Sequence, residues 1–235
     1  MNDQENWRID AVGDRCLLVG LGTSVDPATS ARVHAFVQRL RAQPIAGLRD
    51  IVPAFSTVAL HYRPECFGPT PFATLKALLL ERLAQPLDAQ QAAPRVIEIP
   101  VCYGGDYGPD LEDVAQRCGL SPERVIALHL ESAHRVYMLG FAPGFPFIGG
   151  LNPQLSMPRR STPRTHIPPG SVAIAREQTC IYPLETPGGW NILGRTPLRL
   201  FEAGAEPPCL LGPGDAIRFV RIDANTYEAM LEARQ

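Results

Sequence analysis

Twenty-four of the 44 glycines and prolines in this 235-residue chain fall between Gly140 and Gly214. Proline locks φ and removes a backbone donor, and glycine weakens a helix, so long helices are excluded there and turn-rich β structure is favoured. Residues 135–139, 171–175, 179–182 and 216–220 read as short strands between loops, and a closed or partly closed β-barrel would protect so many short edges. Two helical segments are expected just before them, 109–118 and 122–132, the second capped by Ser121 and opened by Pro122.

The preceding third of the chain has a different rhythm. Residues 15–19 read as a strand, after which Asp26-Pro27 supplies an N-cap and a first-turn proline. Val33, Phe36, Val37 and Leu40 recur at helical spacing, and Gly47 ends that helix before extended runs at 48–52 and 57–62. Thr70-Pro71 opens a second helix striped by Phe72, Leu75, Leu79 and Leu83, which gives way to a strand-like run at 96–101. The order β-α-β-β-α-β is that of a split βαβ, ferredoxin-like unit. An Ala- and Gln-rich linker at 87–94 separates it from the β-rich part, giving an α+β chain with expected domains at 1–90 and 95–235.

With 45% hydrophobic and 20% charged residues, the chain has enough apolar side chain to build cores. A formal net charge of −2 gives no electrostatic footprint for nucleic acid. No apolar run approaches the roughly 20 residues needed to span a bilayer, and the polar, acidic start lacks the basic and apolar regions of a secretory signal. A cytoplasmic location is expected. Six cysteines at 16, 66, 102, 118, 180 and 209 form neither a Cys-x-x-Cys pair nor a Cys/His group, so reduced, mostly buried thiols and no metal site are expected. Lys76, the only lysine, lies on an expected surface helix.

Three features carry chemical promise. Between Glu131 and Glu177 there is no acidic residue, yet Arg135, Arg159, Arg160, Arg164, Arg176, His134 and His166 lie there. Guanidinium groups bind carboxylates and phosphates bidentately, so an anionic ligand is one complement and acids from other segments are the other. Residues 140–151 alternate Phe141, Phe145 and Phe147 with Gly and Pro, which predicts a rigid loop presenting aromatics, as a pocket wall, as an interface or as a plug for a barrel end. Gly188-Gly189 before Trp190 and Arg195 can expose consecutive N–H groups as an anion nest. Phosphate-loop, dinucleotide, Gly-x-Ser-x-Gly and His-Glu-x-x-His patterns are missing, which argues against a self-contained hydrolase. Of the dispersed histidines, His166 in the basic loop is the best candidate.

The stretches PVCYGGDYGPDL (100–111) and RVYMLGFAPGF (135–145), Pro158-Arg159, Pro169-Gly170-Ser171-Val172 and the run from Gln178-Thr179 to Pro197 resemble the KipI/PxpB family, as does the segment around Gly13 to Leu18. This family is also called allophanate hydrolase subunit 1, or carboxyltransferase subdomain C/D. The resemblance implies an N-terminal α/β domain followed by a cyclophilin-like β-barrel. It also implies work as the B component of an ATP-dependent 5-oxoprolinase, with PxpA-type and PxpC/KipA-type partner subunits, ATP and Mg2+. Two alternatives come with it: inhibition of a sporulation-type histidine kinase, and a carboxyltransferase role on urea or allophanate with biotin supplied externally. A barrel alone does not establish prolyl isomerase activity.

Opening a lactam through ATP needs cationic donors for phosphate and for the substrate carboxylate. On that basis Arg159, Arg164, His166 and Arg195 are the candidate catalytic residues. Phe141, Pro143, Gly144, Phe145, Gln178, Thr179, Gly188, Gly189 and Trp190 are the candidate substrate-binding residues, with metal ligands and a base coming from a partner. Cys180 stands where the family usually has glycine, and Arg176 and Glu177 replace smaller or neutral residues. Cys180 is therefore expected to narrow any ligand space beside it.

Overall fold

The computed structural model describes residues 7–85, 87 and 94–233, so most of the expected linker lies outside the described residues. The chain forms two compact units, 1–93 and 94–235.

In the first unit a four-stranded antiparallel sheet has the order β1-β2-β4-β3, from β1 (Arg8–Ala11), β2 (Cys16–Gly20), β3 (Leu48–Pro53) and β4 (Thr57–Tyr62). Helix α1 (Pro27–Ala42) crosses between β2 and β3, and β4 inserts between those two strands, which is the split βαβ arrangement. Asp26 starts α1 as expected, its Oδ1 accepting from the Thr29 amide at 2.7 Å. Helix α2 (Pro71–Leu83) begins at a proline too, but Thr70 makes no capping hydrogen bond. Leu17, Val19, Val33, Phe36, Leu60, Leu75 and Leu79 close one core.

The strand read at 96–101 does not complete this sheet; the outer position beside β2 is taken by β1, with Ile9 opposite Val19. Only Ile9 of that short strand is buried, so it carries too little apolar pattern to be read in isolation.

The second unit is a closed barrel of seven strands. It comprises β5 (Val96–Tyr103), β6 (His134–Leu139), β7 (Pro146–Gly149), β9 (Ser171–Ala175), β10 (Gln178–Ile181), β12 (Asn191–Arg195) and β13 (Ala216–Ile222), in the order β10-β7-β6-β13-β5-β12-β9, with β9 pairing back to β10. Side chains alternate across each strand. Ile99, Val101, Val136, Ile148, Val172, Ile181 and Phe219 fill the interior. Helices α3 (Leu111–Cys118) and α4 (Pro122–Glu131) pack with Leu151, Leu155, Ile174 and Leu193, and helix α5 (Ala224–Glu232) follows the last strand. A separate ribbon of β8 (Arg164–Ile167) and β11 (Thr186–Gly188) adds Ile167 to a cluster with Tyr182, Trp190 and Ile192.

Segments 140–151 and 187–197 are less loop-like than their composition suggests. The first is a tight turn followed by β7, and the second is β11 followed by β12, because barrel closure supplies strand partners that local sequence does not show.

Candidate functional site

The alternation that sends Ile181 and Thr179 inward turns Cys180 and Tyr182 to the other face of the wall, where Phe147 sits opposite Cys180. Phe145 is the centre of an aromatic cluster on that face. Its ring lies 5.2 Å from Phe141, 5.1 Å from Phe147, 5.2 Å from Tyr182 and 6.5 Å from Trp190, the last two contacts being edge-to-face. Phe145, Tyr182 and Trp190 are buried, whereas Phe141 is 67% exposed. The aromatic segment and the Gly-Gly-Trp segment, expected separately, thus form one packed cluster with Phe141 exposed at its edge.

The tip of the aromatic turn is strained. The Ala142 amide donates to the Gly140 carbonyl at 2.9 Å and Phe141 sits at φ 70°, the positive-φ form of a γ-turn that bulky residues rarely adopt. The turn is pinned by Gly140 N–H to the Phe145 carbonyl at 3.1 Å and Phe145 N–H to the Ala142 carbonyl at 3.0 Å. Gly144, at φ 73°, backs against Phe201, where a Cβ would approach to 2.8 Å, and Pro143 is exposed beside it.

Arginine chemistry divides sharply. Asp110 has a side chain only 3% exposed and receives Arg164 bidentately, Nη1 and Nη2 donating at 2.8 Å each. Arg160 Nη1 donates to the same carboxylate at 2.5 Å, and the Ile192 amide also donates to it, at 2.7 Å. Two of the three loop arginines are therefore paired with one acid from another segment, which offsets one of their two charges, and the hydrogen bond that Arg164 donates to Asp110 raises its pKa. Arg159 is different. Its guanidinium lies over Trp190, 5.7 Å from the ring centroid, and it has no carboxylate partner among the described residues. The flanking backbone is stapled to the strand that carries the indole: Asn191 Nδ2 donates to the Pro158 carbonyl at 3.1 Å, and the Arg160 amide to the Gly189 carbonyl at 2.7 Å.

Other expected residues lie elsewhere. Arg195 ends β12, five residues beyond Trp190 and so roughly 15 Å along the strand, where Nε donates to the Pro169 carbonyl at 2.7 Å. His166 is exposed on the ribbon and pairs with Glu185 at 3.1 Å. Thr179 faces the opposite side of the wall from the aromatics and meets His129 Nε2 at 3.3 Å, and Gln178 begins β10 at half-burial. The expected nest is absent, since neither Gly188 nor Gly189 has positive φ. Gly188 is needed for packing: a Cβ there would come within 2.3 Å of Tyr182 Oη. Asp110, Asn191 and Tyr182 are additions of the structure; the one sequence signal for Asp110 is that five arginines in an acid-free stretch require acids from outside it.

Burial raises the Cys180 thiol well above its usual value and raises Tyr182, so neither is a ready anion at neutral pH. Behind the wall, His129 accepts or shares protons with Tyr103 Oη at 2.8 Å and with Thr179, and His134 Nε2 donates to the His129 carbonyl at 2.8 Å. Desolvation holds His129 well below its ordinary value and His134 at about 4.

Among the described residues no three His, Cys, Asp or Glu gather as metal ligands, and the aromatic face offers one unpaired arginine and no backbone nest. These residues do not fit a Mg2+-ATP site by themselves. A concavity of about 620 Å³ lies in the first unit, beside Trp7, Leu18, Gly22, Arg32 and Thr57, but Arg32 Nε there is engaged by the Leu21 carbonyl at 2.9 Å. No helix among the described residues is long and apolar enough to cross a membrane.

The chain belongs to the family described as carboxyltransferase domain, subdomain C and D, which matches residues 7–211. It is 42% identical over 234 residues to the 5-oxoprolinase B subunit of Bacillus subtilis, covering 96% of this chain and 97% of that one. It is 40% identical to the 5-oxoprolinase B subunit of Escherichia coli O157:H7, covering 89% and 93%. Among solved structures, TTHA0988 matches with a TM-score of 0.77 at 41% identity over 89% of this chain; the chain spans 40% of the length of TTHA0988.

Proposed function

We propose that this chain is the B component of an ATP-dependent 5-oxoprolinase, acting with PxpA-type and PxpC-type subunits to open 5-oxo-L-proline to L-glutamate. The observation that carries the reading is the match to the B. subtilis 5-oxoprolinase component across nearly the whole of both chains. The relatives so named favour neither kinase inhibition nor a urea or allophanate carboxyltransferase role.

The Arg159–Trp190 pair suits that substrate. 5-Oxoproline is a flat lactam with one carboxylate; a guanidinium binds such a carboxylate bidentately, and the ring packs on aromatic surface. Opening breaks the lactam C–N bond, adds a water oxygen to the carbonyl carbon and leaves the nitrogen as an amine. This face of the chain holds the anion and excludes water through Phe141, Phe145 and Trp190. It presents no activated nucleophile, so the base, the metal ligands and the groups that hold ATP, which activates the carbonyl, belong to the partner subunits. The chain alone is expected to be inactive.

Glutamate release from 5-oxoproline and ATP, measured with the chain alone and recombined with its partners, tests the reading. Activity only on recombination is expected, with Arg159→Ala lowering it at least about tenfold, the scale of one hydrogen bond to a charged group. A stable complex with no turnover would sink it in favour of another amide, and failure to form a complex would favour kinase inhibition.

A further inference from the structure

We propose that Asp110 is a positioning residue for the carboxylate-binding arginine, an inference that rests on the reading of Arg159 above. Asp110 stands at the start of α3 yet makes no helix cap with its side chain. All four bonds to its carboxylate go instead to Arg160, Arg164 and the Ile192 amide. The acid thereby does two things at once. It occupies the guanidinium groups of two of three neighbouring arginines and offsets one of their two charges, and it clamps both ends of segment 160–164 to β12.

The clamp matters because of register. Ile192, Asn191 and Gly189 each hold part of the opposing segment: Ile192 through Asp110, Asn191 through the Pro158 carbonyl, Gly189 through the Arg160 amide. Arg159 is thus gripped on both sides, directly opposite Trp190. A long arginine side chain loses much rotamer freedom on binding, and fixing its backbone beforehand reduces that loss. Asp110 touches no ligand in this scheme; it acts through Arg159.

Two readouts in the Trp7→Phe background, where Trp190 is the only indole, test this. The first needs no turnover: quenching of Trp190 by iodide relative to neutral acrylamide reports a cation held at the indole. Asp110→Asn is expected to lower that ratio to the value of Arg159→Ala, although the substitution makes the site formally more positive. A raised ratio would mean that Asp110 only suppresses charge and would overturn the proposal, as would an unchanged one. The second is turnover by the assembled complex. Asp110→Asn is expected to raise KM for 5-oxoproline by about tenfold or more with a smaller change in kcat. Adding it to Arg159→Ala is expected to cause no further loss; multiplied losses would overturn the proposal. If the wild-type complex does not turn over 5-oxoproline, the functional reading fails and the quenching ratio still decides the role of Asp110. Should Asp110→Asn not fold, Arg160→Gln and Arg164→Gln each leave Asp110 one arginine; an unchanged ratio in both would likewise overturn it.

Discussion

The carbonyl of Gly140 accepts the amide of Ala142 at 2.9 Å, closing a three-residue turn with Phe141 at φ 70° and its ring exposed. A non-glycine residue there costs of order 1–3 kcal/mol, tolerated where the surroundings over-determine it. Here the Phe145 backbone and the tight seat of Gly144 do so. Phe141→Gly is expected to raise the stability of the purified chain by about 1 kcal/mol, read by denaturant unfolding, while lowering turnover of the complex. Lower stability together with full turnover would show that neither the strain nor the ring is used.

Arg159→Ala and Arg164→Ala should separate binding from scaffold. Arg159 is exposed, so its loss is expected to change the unfolding midpoint little while reducing turnover. Arg164 is one of two cations on a buried carboxylate, so its loss is expected to destabilise the chain by about 1–3 kcal/mol. Parallel thermal unfolding and turnover measurements check the contrast; equal effects on both quantities would contradict it.

Adjacent glycines should behave oppositely. A Cβ at Gly188 would meet Tyr182 and Ile167 at 2.3 and 2.8 Å, whereas at Gly189 the nearest atoms stand at 3.7 Å. Gly188→Ala is expected to destabilise the chain by about 1–3 kcal/mol through overpacking, and Gly189→Ala to be nearly neutral. Comparable losses from both, seen in urea unfolding, would return the pair to a backbone role that geometry does not support.

What is legible in the sequence is local. The Asp26-Pro27 and Ser121-Pro122 starts of α1 and α4 follow from short-range capping, and the barrel follows from the density of turn residues. What is not legible depends on distant partners. Residues 191–195 read as loop because of their Gly and Pro neighbours, yet β9 and β5 pair with them on both sides. Asp110 meets Arg160 and Arg164 across 50 and 54 residues, a pairing no periodicity encodes. That same pairing decides which arginine stays free, so the sequence marks a basic, aromatic region but not Arg159 on Trp190. Helix α5 is different again: Asp223 caps it through the Thr226 amide, a short-range signal that the sequence does carry.

Thiol reactivity should follow burial. Cys66 is exposed, while Cys180 is fully enclosed with its thiol pushed up by desolvation. An aromatic disulfide reagent is expected to label Cys66 rapidly in the native chain and Cys180 only on unfolding. Cys180→Gly opens space beside Trp190 and Tyr182, where the side chain now packs, and is expected to destabilise by about 1–3 kcal/mol. Rapid native labelling of Cys180, traced by peptide mapping, would refute the closed wall.

Acid should loosen the barrel before it protonates most carboxylates. His129 and His134 are buried neutral, facing Tyr103 from β5, Phe219 from β13 and Thr179 from β10, with no acid among their ring contacts. Their folded pKa values lie below the unfolded value near 6.5, so the unfolded chain binds the extra protons. The stabilisation is therefore complete above pH 6.5 and is lost as pH falls from there towards about 4, where His134 titrates in the folded chain. By pH 5 each imidazole should remove about 1–2 kcal/mol. Urea midpoints measured from pH 7.5 to 5 are expected to fall, and His134→Gln, which can still donate to the His129 carbonyl, should flatten part of that slope. A midpoint independent of pH in this window would mean that the imidazoles reach water, contrary to their enclosure behind the aromatic wall.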